Sequence, residues 1–205
     1  DASLTAFLDA LVHGEWHPAY TDADEIERYA FSSQSLLRGV RDAEPVVLKS
    51  HPLGEGCQLV TVAFMTGAPD ALRMTRMVEF EAVPTDAGYR FRSPFERNTQ
   101  HLERRLVGDV TYRFRGPFDE ARAAEFVQFR ERFDALPGLP PEPLQYDRFE
   151  SLEALLRAFG LVHDGSKCNF LRHDLGFVWD DGRRFATGTG DEAFLLPFTE
   201  GRLNV

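Results

Sequence analysis

The chain has 205 residues, 43% hydrophobic and 27% charged, which excludes a disordered protein and allows one large domain or two small ones. With 33 acidic against 23 basic residues the net charge is −10, which argues against a nucleic-acid-binding face and against attraction to an anionic membrane. No apolar run approaches the ~20 residues of a membrane-spanning helix. No signal peptide is visible, yet the first residue is Asp1 rather than Met, which points to removal of preceding residues and leaves export open.

Leu4, Phe7, Leu8 and Leu11 fall at helical spacing, so Ser3 to Val12 reads as a helix with one buried face and Ser3 as its cap. Pro18 ends any extension. A second helix is expected from Asp22 or Asp24, where acids suit the positive end of the helix dipole. A short strand at Val46 to Lys49 follows, then a strand at Gln58 to Met65 with both faces apolar. Leu72 to Val83 is the next strand, placing Met74, Arg76, Val78 and Phe80 on one face and Thr75, Met77, Glu79 and Glu81 on the other. Gly67-Ala68-Pro69-Asp70 joins these two as a hairpin, and Tyr89 to Arg92 adds a fourth strand after the turn at Thr85 to Gly88. A seam falls at Ser93-Pro94-Phe95-Glu96-Arg97-Asn98-Thr99.

Beyond the seam, Val110, Tyr112 and Phe114 alternate with Thr111, Arg113 and Arg115 in a half-buried strand. Asp119 opens a helix with the stripe Arg122, Phe126, Phe129, Phe133 and Leu136, stopped by Pro137-Gly138. Leu144 to Phe149 is a strand. Ser151 caps a short helix carrying Leu152, Leu155, Leu156 and Phe159, with Gly160 as its C-cap. Gly176 to Trp179 and Arg183 to Thr187 flank Asp180-Asp181-Gly182 as a hairpin. Cys57 and Cys168 stand in no metal or redox spacing; buried free thiols are the expectation, with a single bridge as the alternative.

Several constellations invite chemistry. His13 and His17 sit four apart in His-Gly-Glu-Trp-His, a spacing that puts two imidazoles on one helix face for a metal. The Glu is displaced by one position from the zinc-peptidase pattern, which turns its carboxylate about 100° away from a metal-bound water. Gly14 and Pro18 also interrupt a regular helix, so a solvated helix end is the plainer reading. His163-Asp164 and His173-Asp174 could ligate a metal or transfer protons, against the plainer reading of polar loop residues. Ala186 to Glu192 resembles a phosphate loop in glycine content but lacks its lysine and spacing. No serine nucleophile elbow and no activated-thiolate context occurs.

Helices followed by an antiparallel meander resemble the NTF2-like (cystatin-like) superfamily over about the first 98 residues, a likeness of topology without a motif. In that fold the helices and the concave sheet face enclose a pocket. The resemblance therefore implies ligand contacts from Arg76, with Tyr20 and Tyr29 at the pocket's mouth; a salt-bridged arginine and packed aromatics are the alternatives. Thr99 to Gly190 resembles the segment before the active-site helix of gluzincin-type zinc metallopeptidases. The likeness rests on the strand Val110 to Phe114, Gly138-Leu139-Pro140-Pro141, Leu144 to Phe149, Leu156-Arg157-Ala158-Phe159-Gly160 and the closing hairpin. Uncharacterised secreted bacterial proteins join such units, which implies a periplasmic or secreted location, a cytoplasmic one staying open. The chain contains no H-E-x-x-H, so no zinc ligand or base is carried over.

The expected fold is α+β: an NTF2-like unit over 1–98 and a β-α-β-α-β(hairpin) unit over 99–205. The expected function is a non-catalytic exported binding or accessory protein with no cofactor, taking a small molecule or peptide. Two alternatives are an NTF2-like small-ligand binder or cofactor-free enzyme, and the front half of a zinc peptidase-like hydrolase. The apolar residues Phe194, Leu195, Leu196, Phe198 and Leu203 look like an element that should be covered, which favours the latter.

Overall fold

Apolar side chains on both faces of the 58–65 segment predict a strand inside a sheet with both faces covered, and there Val60, Val62 and Phe64 of one face and Thr61 and Ala63 of the other are buried. The computed structural model describes residues 2–14, 37, 40–135, 142–165, 176–179 and 183–188. The protein is α+β, with one antiparallel and one mixed sheet. It divides into two compact units, Asp1–Thr99 with Leu156–Asn169 and Gln100–Leu155 with Phe170–Val205.

In the first unit the strands β1 (Glu44–Gly54), β2 (Cys57–Thr66), β3 (Arg73–Thr85) and β4 (Gly88–Arg92) form an antiparallel meander in sequence order. β1 is longer than the expected Val46 to Lys49. Its extension is mostly exposed, so no apolar alternation marks it. It is an edge strand blunted by Pro45, Lys49, Pro52 and two register shifts, devices that discourage pairing with another chain. Helix α1 (Ala2–His13) drives Phe7 into this unit's core, stacked on Phe91 at 4.4 Å and edge-on to Phe80 at 5.3 Å. Ser3 lies inside α1 rather than capping it. Its hydroxyl accepts a hydrogen bond from the Tyr89 amide at 3.2 Å, tying α1 to β4.

The fourth strand position is filled twice. β4 pairs with Glu81 to Thr85 of β3, and β8 (Leu161–Asp164) pairs with Arg76 to Val78 of the same strand. Both are antiparallel to β3. Both lie on the edge that β2 leaves open, so they run in line, in the same direction. Pro94 stops the first segment by removing a donor and fixing φ. The chain departs at Ser93 and resumes the line at Gly160, whose carbonyl accepts from the Glu79 amide at 2.8 Å.

Side chains clamp this gap. The Ser93 hydroxyl donates to the Phe159 carbonyl at 3.0 Å and accepts from the Phe95 amide at 3.3 Å. The rings of Phe95, on helix α2 (Phe95–Thr99), and Phe159 stack at 4.3 Å. Asn98 donates to the Ala158 carbonyl at 3.0 Å. Gly160 has φ of +107°, and a Cβ there would stand 2.4 Å from the Glu79 carbonyl oxygen, so the close approach needs glycine.

In the second unit the sheet order is β5 (Glu103–Val107), β6 (Val110–Phe114), β7 (Leu144–Arg148), β10 (Arg184–Thr187), β9 (Gly176–Trp179). β6, β7 and β10 are parallel, and β5 and β9 are antiparallel edges. Parallel neighbours need a crossover, which helix α3 (Glu120–Ala135) provides between β6 and β7. Val110, Tyr112, Phe114, Leu144, Tyr146 and Phe185 form one buried face with Ala123, Phe126 and Val127 of α3. Among the described side chains the buried stripe of α3 is Ala123, Phe126, Val127 and Arg130; on the expected line Phe126 is buried and Phe129 half-buried, whereas Arg122 is exposed. Arg130 is turned inward because it bridges Asp109, at 3.1 and 2.5 Å, and the Glu142 carbonyl. β5 carries no alternation because it is an exposed edge, Leu106 being 69% exposed. Helix α4 (Leu152–Ala158) begins with the expected cap, Ser151 accepting from the Ala154 amide at 3.1 Å. The division between the units falls within α4.

Candidate functional site

Three buried arginines, Arg76, Arg113 and the Arg130 already described, and a concavity in the second unit are chemically distinctive places among the described residues. Arg76 stands on β3 with 0% exposure, opposite Phe64 on β2. Enclosing a guanidinium costs several kcal/mol unless a partner neutralises it. That partner is Asp164, which the β3–β8 register sets directly opposite and whose carboxylate bridges Arg76 Nη1. Nη1 also donates to the Thr75 carbonyl at 3.4 Å. Asp164 is 21% exposed, so water reaches one side of the bridge. The pair joins a charged residue of the meander to the strand that completes its edge.

Arg113 and Asp147 face each other in register across β6 and β7, on the side of the sheet opposite Tyr112 and Tyr146. Arg113 Nε donates to Asp147 Oδ1 at 2.6 Å while Nη2 holds Oδ2, a two-pronged contact at side chains 4% and 1% exposed. Gln145 donates to the same carboxylate at 3.1 Å, and Arg184 stands 3.9 Å away on β10. Burial pushes the Asp147 carboxyl above its ordinary range, with Arg113, Arg184 and Gln145 pulling the other way.

The concavity opens at the carboxyl ends of the parallel strands β6 and β7, where α3 begins. It is a small recess open to solvent, lined by Tyr112, Phe118, Phe126 and Tyr146, with Arg122 and Arg148 also in its wall. Local sequence explains the walls. Period-two alternation directs Tyr112 and Tyr146 to the α3 face, and Tyr112↔Tyr146 are register partners. The Tyr112 hydroxyl donates to the Ala123 carbonyl at 3.1 Å, and the Tyr146 hydroxyl pairs with Thr187 at 3.0 Å, so both rings are fixed. Phe118 stacks on Phe114 at 4.5 Å and carries the Arg105 guanidinium 5.1 Å above its ring. Asp119, also in the lining, caps α3 by accepting from the Arg122 amide at 3.1 Å, and its carboxylate lies 3.9 Å from Arg122 Nε.

The sequence candidates disperse. His13 ends α1, exposed, with Nδ1 donating to the Asp9 carbonyl at 2.7 Å, a helix-terminal contact. His17, Tyr20 and Tyr29 lie outside the described residues, as do the expected second helix, His173, Asp174, Cys168, the Asp180-Asp181-Gly182 turn and the chain's last apolar residues. His163 and Asp164 belong to a strand, not to a loop, because β3 offers them a free edge. Cys57 is a half-buried free thiol. Among the described residues no group of three or more His, Cys, Asp or Glu gathers at metal-binding distance, and no helix is long and apolar enough to cross a membrane. Sequence reading missed the concavity. Its only signal was the pairing of tyrosines at matching places in two strands that flank a helix.

The chain was compared with protein-family models, with curated proteins and with solved structures, and it matches none of them.

Proposed function

We propose that this chain is a non-catalytic binding protein whose second unit takes a small molecule, or a side chain of a peptide, in the concavity above Tyr112 and Tyr146. The observation that carries the reading is the place of that concavity: outside the carboxyl ends of parallel strands, the common position of ligand crevices in open α/β sheets. Its floor is aromatic and its rings are held by hydrogen bonds, which spares a ligand the entropy of ordering them. The helix-on-meander of the first unit supports an NTF2-like reading of that unit. The order β6, α3, β7, α4 and, after β8, the antiparallel pair β9–β10 supports kinship of the second with the non-catalytic front segment of gluzincins, β8 being an addition to the expected order.

The test is a ¹H–¹⁵N spectrum of the protein titrated with benzamide, a neutral aromatic probe for the aromatic floor. Saturable shifts centred on Tyr112, Phe118, Ala123 and Tyr146 are the expected result. Shifts absent at these residues up to the solubility limit of the probe would overturn the reading.

A further inference from the structure

We propose that the open edge of β5 is a docking strand for an extended acidic peptide segment, taken up as a further strand of the second unit's sheet; the proposal does not rest on the concavity. β5 ends the sheet, and its ladder with β6 runs from Glu103↔Phe114 to Val107↔Val110 without a register shift. Gly108 and Asp109 join the two strands as a tight turn, with Gly108 at φ of +60°. The pair next to such a turn exchanges both backbone hydrogen bonds, and the pattern repeats at every second residue. Val107, Arg105 and Glu103 therefore spend their N–H and C=O groups on β6. Those of Arg104 and Leu106 point outward in the plane of the sheet, a donor and an acceptor at each, spaced for one more strand.

Prolines and bulges blunt β1, but β5 has neither, and Glu103 to Leu106 are exposed, Leu106 to 69%. Its side chains name the occupant. Arg104 and Leu106 share one face of the sheet, and Arg105 lies on the other. Arg104 is exposed and takes part in no ion pair among the described residues. Its register partner on β6 is Arg113, whose charge Asp147 meets. Arg105 is exposed as well, resting over Phe118 with Glu120 3.8 Å away, a pair wet enough to be screened. An incoming strand thus meets two adjacent cations and then an apolar side chain, in a chain of net charge −10. Carboxylates opposite Arg104 and Arg105, with an apolar residue opposite Leu106, complement this edge on both faces. A second copy does not. The registers centred on Arg104 or Arg105, which overlap β5 most fully with itself, set arginine against arginine.

The peptide Thr-Val-Glu-Glu-Val-Thr, blocked at both ends, reads the same in either direction, so it brings its acids to the two arginines whether it runs parallel or antiparallel to β5. Titrated into the ¹⁵N-labelled chain, it should shift the Arg104 and Leu106 amides saturably and protect them from hydrogen exchange. Its counterpart Thr-Val-Lys-Lys-Val-Thr should bind about tenfold more weakly, the scale of two cross-strand pairs turned from attraction to repulsion. Arg104→Glu, at an exposed position, should bring the two peptides to similar affinities. Leu106→Pro should abolish binding of both while the β6 and β7 amides keep their protection, because an edge proline removes only the outward donor. Equal binding of both peptides by the unaltered chain, a preference untouched by Arg104→Glu, binding that survives Leu106→Pro, or no shift at β5 up to the solubility limit of the peptide would each overturn the proposal. So would β5 amides that shift with protein concentration alone, which would make a second copy the occupant.

Discussion

In the first unit the enclosed guanidinium of Arg76 meets a carboxylate brought by a four-residue edge strand from much later in the chain, whereas in the second Arg113 meets Asp147 on the adjacent central strand. Asp164 is partly wetted and its bridge is made through one nitrogen; Asp147 is dry and held by two prongs, with Gln145 adding a third contact. The same chemistry thus serves two ends. A dry, central pair specifies which strands are neighbours. An edge pair fastens a short segment that pairs with β3 only at Arg76, Met77 and Val78.

This contrast can be broken by substitution. Asp147→Ala leaves Arg113 buried without its carboxylate and should cost about 3–5 kcal/mol in urea unfolding, the largest effect foreseen here. The double variant Arg113→Met, Asp147→Leu should recover most of that loss, because apolar residues remove the desolvation cost along with the attraction. A double variant no more stable than Asp147→Ala would show that this pair supplies net stability.

Asp164→Ala should cost less, about 2–3 kcal/mol, because water can reach the abandoned end of the bridge. Hydrogen exchange should locate its effect in β8 and in Arg76 to Val78, leaving the β6 and β7 amides protected. A loss equal to that of Asp147→Ala, spread over the whole chain, would erase the distinction between edge and centre.

Gly160→Ala sharpens the comparison by disturbing the start of β8 without touching its charges. The positive φ and the 2.4 Å approach to the Glu79 carbonyl predict a cost of about 1–3 kcal/mol and faster exchange of the Glu79 amide. Ser93→Ala, which removes the hydroxyl bridging the Phe159 carbonyl and the Phe95 amide, is the mildest change at about 1 kcal/mol. Unaltered exchange at Glu79 in both variants would mean that the gap between β4 and β8 is not held by these contacts.

Much of the element order was legible. The β2–β3 hairpin, β4, β6, α3, β7 and α4 follow from apolar periodicity punctuated by Gly, Pro and cap residues. β5 and the ends of β1 were not, because an exposed edge strand needs no apolar alternation. The ion pairs were only half legible. Arg76 and Arg113 stand out as charges in apolar strands, but their partners are named by register, which period-two patterning does not encode.

By itself, then, the sequence determined which stretches are strands or helices and which face of each is apolar, since these depend on neighbours a few residues apart. Only the tertiary structure decided that β8 continues the line of β4, that Arg76 meets Asp164, and that Tyr112, Tyr146, Arg122 and Arg148 share one concavity. Those outcomes depend on pairing between distant segments. Many registers satisfy the same local pattern, and the folded chain selects the one in which each enclosed guanidinium finds its carboxylate and the two halves of the strand line meet.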